Sequence, residues 1–391
     1  MGQAFDVIVV GAGIMGCTTA YELARRGVKV VVIEKDMLGT TSSGKSSAII
    51  RQHYSNEVTA RMALHSLRVF QEFGHRVGGE SGFTETGFLA LTPAKDVKGL
   101  EENVALQQSV GIKTQVLSKD ELHEMWPAIE LDGLVAAAYE PEAGYADPYL
   151  ALSSYMKAAK RHGAAFVFET QVTAAHFSGS KIQGVETTAG TYDAPVVVNC
   201  AGAWGAPVAR MAEIELPINA CRVQVTFFRR PPGYEQPHPV IADFVHGVYW
   251  RSETGGLTLI GLIDPEEAHA VVDPDSFNDG ADLDFVAAVG EQLVRRFPAM
   301  KTSENTGGYA ALYAITPDWH PVIDEPRPGS GFFVCAGFSG HGFKLGPAVG
   351  LMTADMITGV ETAGMDRRMF RLGRYAENDP VRGKYEYSIV G

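Results

Sequence analysis

The sequence predicts an α/β fold in which a Rossmann-type parallel sheet, built from separated stretches of chain, is interleaved with an antiparallel sheet. Three observations predict it. A β-branched run, a glycine-rich turn, a helical pattern and a second β-branched run follow one another within residues 6–34. Further short apolar runs recur at Ala194–Asn199 and Gly331–Cys335. Between them, from about 223 to 263, apolar and polar residues alternate as in an antiparallel sheet.

The first of these stretches carries the most information. Asp6–Val10 is continuously apolar after its first residue, the pattern of a parallel strand covered on both faces. Gly11, Ala12, Gly13, Ile14, Met15 and Gly16 follow at once, then a helical pattern from Cys17 to Arg26 that Gly27 can cap. Val28–Ile33 is the second strand, ending at Glu34. Each residue type has a physical reason. Gly11 permits the tight turn, Gly13 lets backbone approach a pyrophosphate, and Gly16 lets the helix pack closely on the strand. The helix N-terminus offers free N–H groups and a positive dipole end to the phosphates. Glu34, 23 residues beyond Gly11, is placed to accept ribose hydroxyls. The acid argues against a 2′-phosphorylated nucleotide, but it does not separate NAD from FAD.

The remaining elements follow in order. A polar loop over 39–47 leads into Ala48–Tyr54, and a helix is expected over 56–77. A strand near 83–92 precedes helices near 96–110 and 119–125, the second stopped by Pro127. An amphipathic helix covers 150–162, with strands at 165–168 and 181–187. Another helix is expected over 281–297, a buried strand at 331–335 and a last helix over 347–357. The cofactor domain is accordingly discontinuous (1–82, 146–217 and 325–376), with a substrate domain over 83–145 and 218–324 and a polar, loosely held tail from 377 to 391.

Composition narrows the function. The chain has 391 residues, 46% of them hydrophobic and 20% charged, as in an ordinary globular enzyme. Its net charge of -13 and the lack of any Lys/Arg run argue against nucleic acid or an anionic membrane surface as a partner. The four cysteines have no metal-ligand spacing, so reduced thiols and no metal are expected. A strand begins at Asp6 with no basic region or cleavage site before it, and no apolar stretch is long enough to span a bilayer. A cytoplasmic location is the resulting expectation; oligomeric state is left open.

With these residues in place, the sequence resembles the D-amino-acid oxidase/sarcosine oxidase superfamily of FAD-dependent oxidoreductases, nearest its sarcosine oxidase and dimethylglycine dehydrogenase branch. The resemblance rests on Gly11–Gly16 with Glu34, on Ile49–Arg51, on Val198–Trp204 and on Gly337–Lys344. It implies FAD as the cofactor. Lys35 and Ser42, Ser43, Ser46 and Ser47 match ribose and pyrophosphate contacts, and Val172 a position on the adenine side. Ala201, Gly202 and Trp204 end a strand in small residues that let backbone pass close to a flat ring. Gly337, Gly340, His341, Gly342, Phe343 and Lys344 form a glycine-rich turn before a helix, whose N–H groups would face the flavin edge that gains negative charge on reduction.

The resemblance also implies the chemistry. Arg51 and Lys344 match positions that hold the carboxylate of an amino-acid substrate, a task that suits a planar guanidinium. Tyr313 and one of the adjacent pair Tyr249 and Trp250 are candidate pocket walls, and His341 a candidate for tuning flavin charge. The chain departs from the sarcosine oxidase branch at three places. Ala311 stands where a cysteine ties the flavin covalently, which implies non-covalent FAD. Leu259 stands where a lysine activates oxygen, and Ile263 near an active-site histidine. The expected reaction is oxidation of a secondary or N-methylated amino acid, by a dehydrogenase in preference to an oxidase. A primary D-amino acid, or service as the electron-transfer subunit of a complex, are the alternatives. A flavin hydroxylase would need a later Gly-Asp motif, and an NAD dehydrogenase leaves Gly337–Lys344 unexplained.

Overall fold

A computed structural model describes residues 5–263 and 270–382. Two large sheets organise the chain. The first has six strands in the order Val322–Asp324, Phe332–Ala336, Val196–Asn199, Val7–Val10, Val30–Ile33 and Ala165–Val167. All neighbours run parallel except the first pair. Val7–Val10 lies at its centre with every residue buried, which is why these strands read as unbroken apolar runs. Val322–Asp324, placed by the sequence reading on the substrate side, edges this sheet instead.

The helices Ile14–Ala24 and Gly342–Thr358 pack together on one face of this sheet, joined there by Pro148–Arg161. The close approach of the first two depends on missing side chains. A Cβ at Gly346 would meet Ile14 Cγ1 at 2.5 Å, and one at Gly350 would meet Thr18 Cβ at 2.5 Å. Two helix starts differ from expectation. Ile14–Ala24 begins three residues early, because Gly13 is itself the N-cap. Gly342–Thr358 begins before Pro347, which therefore lies inside the helix and removes only the bond to the Phe343 carbonyl.

The second sheet has eight strands: Asn305–Ile315, Asn219–Arg229, Leu257–Leu262, Val248–Glu253, Val240–Asp243, Phe88–Thr92, Ala136–Glu140 and Gln115–Ser118. It is antiparallel apart from the pairing of Val240–Asp243 with Phe88–Thr92. The expected strand over 83–92 is divided at Gly87, where φ is +81°. Its first part, Thr84–Glu85, joins a small sheet with Gly144–Tyr145 and Ile49–Ile50. The helix expected over 56–77 breaks at Glu72 into Glu57–Gln71 and Phe73–Arg76. A three-stranded meander, Val172–Ser178, Lys181–Thr187 and Gly190–Asp193, extends the single strand read there.

All four cysteines are buried free thiols. Among the described residues there is no cluster able to hold a metal, and no helix is long and apolar enough to cross a membrane. The end of the expected tail, 383–391, lies outside the described residues.

Candidate active site and cofactor cleft

A long cleft runs across the carboxyl ends of the central parallel strands, where ligands of open α/β sheets bind. At its nucleotide end Gly11 adopts φ +104°, and a Cβ there would lie 2.6 Å from the Cys200 carbonyl oxygen. Gly16 does not line the cleft. A Cβ on it would sit 1.8 Å from the Gly11 oxygen, so its role is close packing of helix on turn. The Glu34 carboxylate accepts from Ala12 N at 2.6 Å and from Asp36 N at 3.1 Å, which fixes it at the lip beside the glycine turn. Ser43 Oγ accepts from Ile14 N at 3.0 Å, occupying the helix N-terminus that the pyrophosphate reading requires.

Ser42, Ser46 and Ser47 line the cleft with Ser43, as do Gly13, Ile14, Met15 and Val172. Lys35 also lines it, but its ammonium is committed: it pairs with Asp275 at 2.6 Å and lies 3.7 Å from the Trp204 ring centroid. Trp204 donates its indole N–H to the same carboxylate at 2.9 Å. Ala201 and Gly202 complete this wall. Farther along, Gly337 and Gly340 form the predicted turn, with φ of +80° and +86°. Ser339 between them, at φ 47°, donates its N–H to Ala314 O at 2.9 Å and accepts from Thr316 N at 3.2 Å. The turn is thereby tied to the strand carrying Tyr313. Gly342 and Phe343 line the cleft, and no side chain caps the helix they begin, so its first N–H groups are available to an acceptor.

Sequence reasoning missed Lys45, which also lines the cleft. Its Nζ donates to Ala310 O at 3.2 Å and lies 3.6 Å from Asp279. As the lone cation in the serine-rich loop, it was a signal available to the sequence reading. Thr41, Thr170 and Gln171 were missed as well. The loop itself is pinned by the buried Arg251, whose Nε donates to Ser47 O at 2.6 Å.

Beyond Ser46 and Ser47 the cleft opens into a smaller chamber, which Arg51, Lys344, Tyr249 and Tyr313 share in lining. Arg51 follows the Ile49–Ile50 strand, is 4% exposed and donates Nη1 to His53 O at 2.6 Å. Its Nη2 is buried with no hydrogen-bond partner among the described residues, an expensive arrangement unless the chamber's occupant accepts from it. Lys344 projects from the first turn of its helix and is 5% exposed. Burial, reinforced by the Arg51 charge, pushes its pKa well below the usual lysine range. An anion between the two would relieve both costs.

Of the adjacent aromatics, Tyr249 faces the chamber and Trp250 is fully buried on the opposite side of the sheet. Both chamber tyrosines stand over glycine. A Cβ on Gly261 would meet the Tyr249 ring at 2.7 Å, and one on Gly340 would meet the Tyr313 ring at 2.6 Å. His341 corrects the expectation that it edges the cofactor. Its ring turns away from both cavities to bond with Tyr54 OH at 3.1 Å, because the αL turn at Gly340 directs it behind the helix start. Burial and the nearby Lys344 and Arg51 hold its pKa well below the usual histidine range, so it stays neutral. Lys344, also expected at the cofactor, lines the chamber alone. Ala311 lines the cleft, Ile263 lines the chamber, and Leu259, 1% exposed, lines neither.

This combination of glycine turn, acid at the lip beside it and a second helix whose start no side chain caps defines a dinucleotide-type flavin site, and the open donors of that helix and the close-approach glycines fit FAD. The family model "FAD dependent oxidoreductase" (DAO) matches residues 6–356, and the chain belongs to that family. The monomeric sarcosine oxidase of Bacillus sp. (strain NS-129) is 28% identical over 387 residues, covering 96% of this chain and 98% of that one. Human mitochondrial sarcosine dehydrogenase is 28% identical over 368 residues, but the chain covers only 39% of its length. Among solved structures, L-proline dehydrogenase from P. horikoshii superposes with a TM-score of 0.89 at 28% identity, covering 97% of this chain and 100% of that one. Glycine oxidase from Geobacillus kaustophilus gives 0.82 at 25% identity, covering 95% and 99%.

Proposed function

We propose that the chain oxidises a secondary or N-methylated α-amino acid, its substrate carboxylate held by Arg51 and Lys344. The observation carrying this reading is an Arg51 Nη2 with no hydrogen-bond partner among the described residues beside a buried Lys344, in a chamber that opens directly onto the cofactor cleft. Bound FAD supplies the two-electron acceptor for the hydride leaving the carbon beside the amine. Gly11, Gly13 and Ser43, which caps the helix beginning at Ile14, would hold its pyrophosphate, Glu34 its ribose, and the helix beginning at Gly342 its flavin edge. With alanine at 311, the reading has FAD held without a covalent link.

The residues' own work is binding, orientation and exclusion of water. Arg51 offers a fork to the carboxylate, whose charge would offset the burial and the Arg51 repulsion that depress the Lys344 pKa. Tyr249 and Tyr313 wall the chamber, so a neutral amine is favoured over an ammonium. Once the hydride has left, the iminium carbon is open to hydrolysis by water. No lysine occupies position 259, which supports a dehydrogenase passing electrons to an acceptor other than oxygen, such as a partner subunit. Relatives named sarcosine oxidase, sarcosine dehydrogenase and L-proline dehydrogenase are in keeping with this substrate class.

Anaerobic bleaching of the flavin tests the reading. N-methyl and cyclic secondary amino acids should bleach it, and colour should return slowly when air is admitted. Bleaching by primary D-amino acids alone would replace the proposed substrate class, and rapid recovery in air would make the enzyme an oxidase.

A further inference from the structure

Among the described residues, the chamber holding Arg51 and Lys344 has a second side lined by no charged side chain. We propose that it takes a hydrocarbon substituent on the substrate Cα, open or ring-closed onto nitrogen, so that N-methylglycine is a poor substrate and acidic side chains are excluded. The inference rests on the carboxylate-and-amine reading above.

The sheet register builds this lobe. Ala242 pairs with Tyr249, and Tyr249 with Gly261, so three neighbouring strands present these residues in one row facing the cofactor half. Tyr249's ring fills the space over Gly261, while Ala242 contributes only a methyl group. Two residues farther along the same face stand Phe244 and Ile263, and Phe88 comes from the next strand. Ile49 closes the side nearest Arg51. None of these side chains carries a hydrogen-bonding atom. Among the described residues, the polar side chains lining the chamber are Arg51 and Lys344 at the carboxylate position, and Ser46, Ser47, Tyr249 and Tyr313, which also line the cleft.

A carboxylate or ammonium entering the lobe would lose its water and gain no partner. A hydrocarbon would gain burial, about fourfold in kcat/KM per methylene, equivalent to about 0.8 kcal/mol. N-methylglycine leaves the lobe unfilled.

The holoenzyme is tested by anaerobic flavin reduction with N-methylglycine, N-methylalanine, N-methylnorvaline, proline and N-methylaspartate. Expected is a rise in kcat/KM of about tenfold or more from N-methylglycine to the three-carbon or cyclic substrates, with N-methylaspartate below N-methylglycine. Ala242→Leu fills the lobe and should reverse that order. Flavin difference spectra of the unmodified enzyme with acetate, butyrate and succinate give a check that needs no variant: butyrate should bind more tightly than acetate, and succinate less tightly than butyrate. Equal or better turnover of N-methylglycine, with acetate binding as well as butyrate, overturns the lobe while leaving the amine reaction standing. If no amine bleaches the flavin, the reaction reading falls, and the butyrate-to-acetate ratio decides the lobe by itself.

Discussion

At the nucleotide end of the cleft, Ala12 N and Asp36 N already bond to Glu34, and Ile14 N to Ser43. Lys35 likewise has Asp275 as its counter-charge. Around the Ser46–Ser47 corner, where Arg51 and Lys344 come 17 and 310 residues after Glu34, the substrate end does the opposite. Arg51 Nη2 has no hydrogen-bond partner among the described residues, and burial, with Arg51 as a second cation beside it, depresses the Lys344 pKa. The first region is assembled before its ligand arrives, and its residues satisfy one another. The second holds two costly cations in readiness for an anion. Cofactor retention should therefore depend on shape at the first site, and substrate selection on charge at the second.

Three changes would break or sharpen that contrast. The largest effect is expected from Arg51→Met. Removing one partner of a buried, hydrogen-bonded charge pair costs about 2–5 kcal/mol. Flavin reduction by the amino acid should slow by two to three orders of magnitude in kcat/KM (about 1.4 kcal/mol per tenfold), with the FAD absorbance of the purified protein unchanged. Loss of FAD along with activity would show that the two regions are not separable. Gly11→Ala should act the other way. Its Cβ would press on the Cys200 carbonyl at a φ of +104°, and backbone strain of this kind costs about 1–3 kcal/mol. Reduced FAD occupancy and a lower unfolding temperature are expected, measured by flavin titration and thermal melting, with the carboxylate preference of the remaining holoenzyme intact.

The smallest effect is the most diagnostic. Lys344→Met should stabilise the chain, by about 0.5–2 kcal/mol, while impairing substrate binding. The sign follows from linkage. Because the folded-state pKa of Lys344 lies below its usual 10.5, the unfolded chain binds the extra proton, and wild-type stability falls as pH drops from 10.5 toward the folded value. The variant lacks this term. Its advantage in denaturant unfolding should widen between pH 10 and pH 7, and a constant gap would mean that Lys344 is not depressed.

The legibility of the two regions in the sequence differs for the same physical reason. The nucleotide end is local: strand, turn, helix, strand and acid lie within residues 6–34, so period and glycine spacing reveal it. The substrate end is assembled from distant strands. Asn305–Ile315 pairs along its length with Asn219–Arg229, yet it shows no alternation to announce a strand, and Gly307 and Gly308 dilute what pattern there is. It places Tyr309 and Tyr313 in the cleft, and its Ala310 carbonyl accepts from Lys45. Arg51 and Lys344 were legible only through family resemblance. Nothing in their immediate neighbours predicts that the small sheet at Ile49–Ile50 and the early helix start at Gly342 bring them into one chamber. His341 failed for a related reason, since a one-residue rotation at a turn reverses the direction of a side chain and leaves no trace in composition.

Gly261 lines neither cavity, yet it supplies the space in which the Tyr249 ring rests. A pocket walled in this way can be reshaped from outside. A methyl group added behind that ring must tilt it inward, narrowing the chamber without replacing a residue that lines it. Divergence in substrate range among chains of this architecture can then arise at a position a comparison of lining residues would pass over, and a search for altered specificity by mutagenesis has its first site behind the wall.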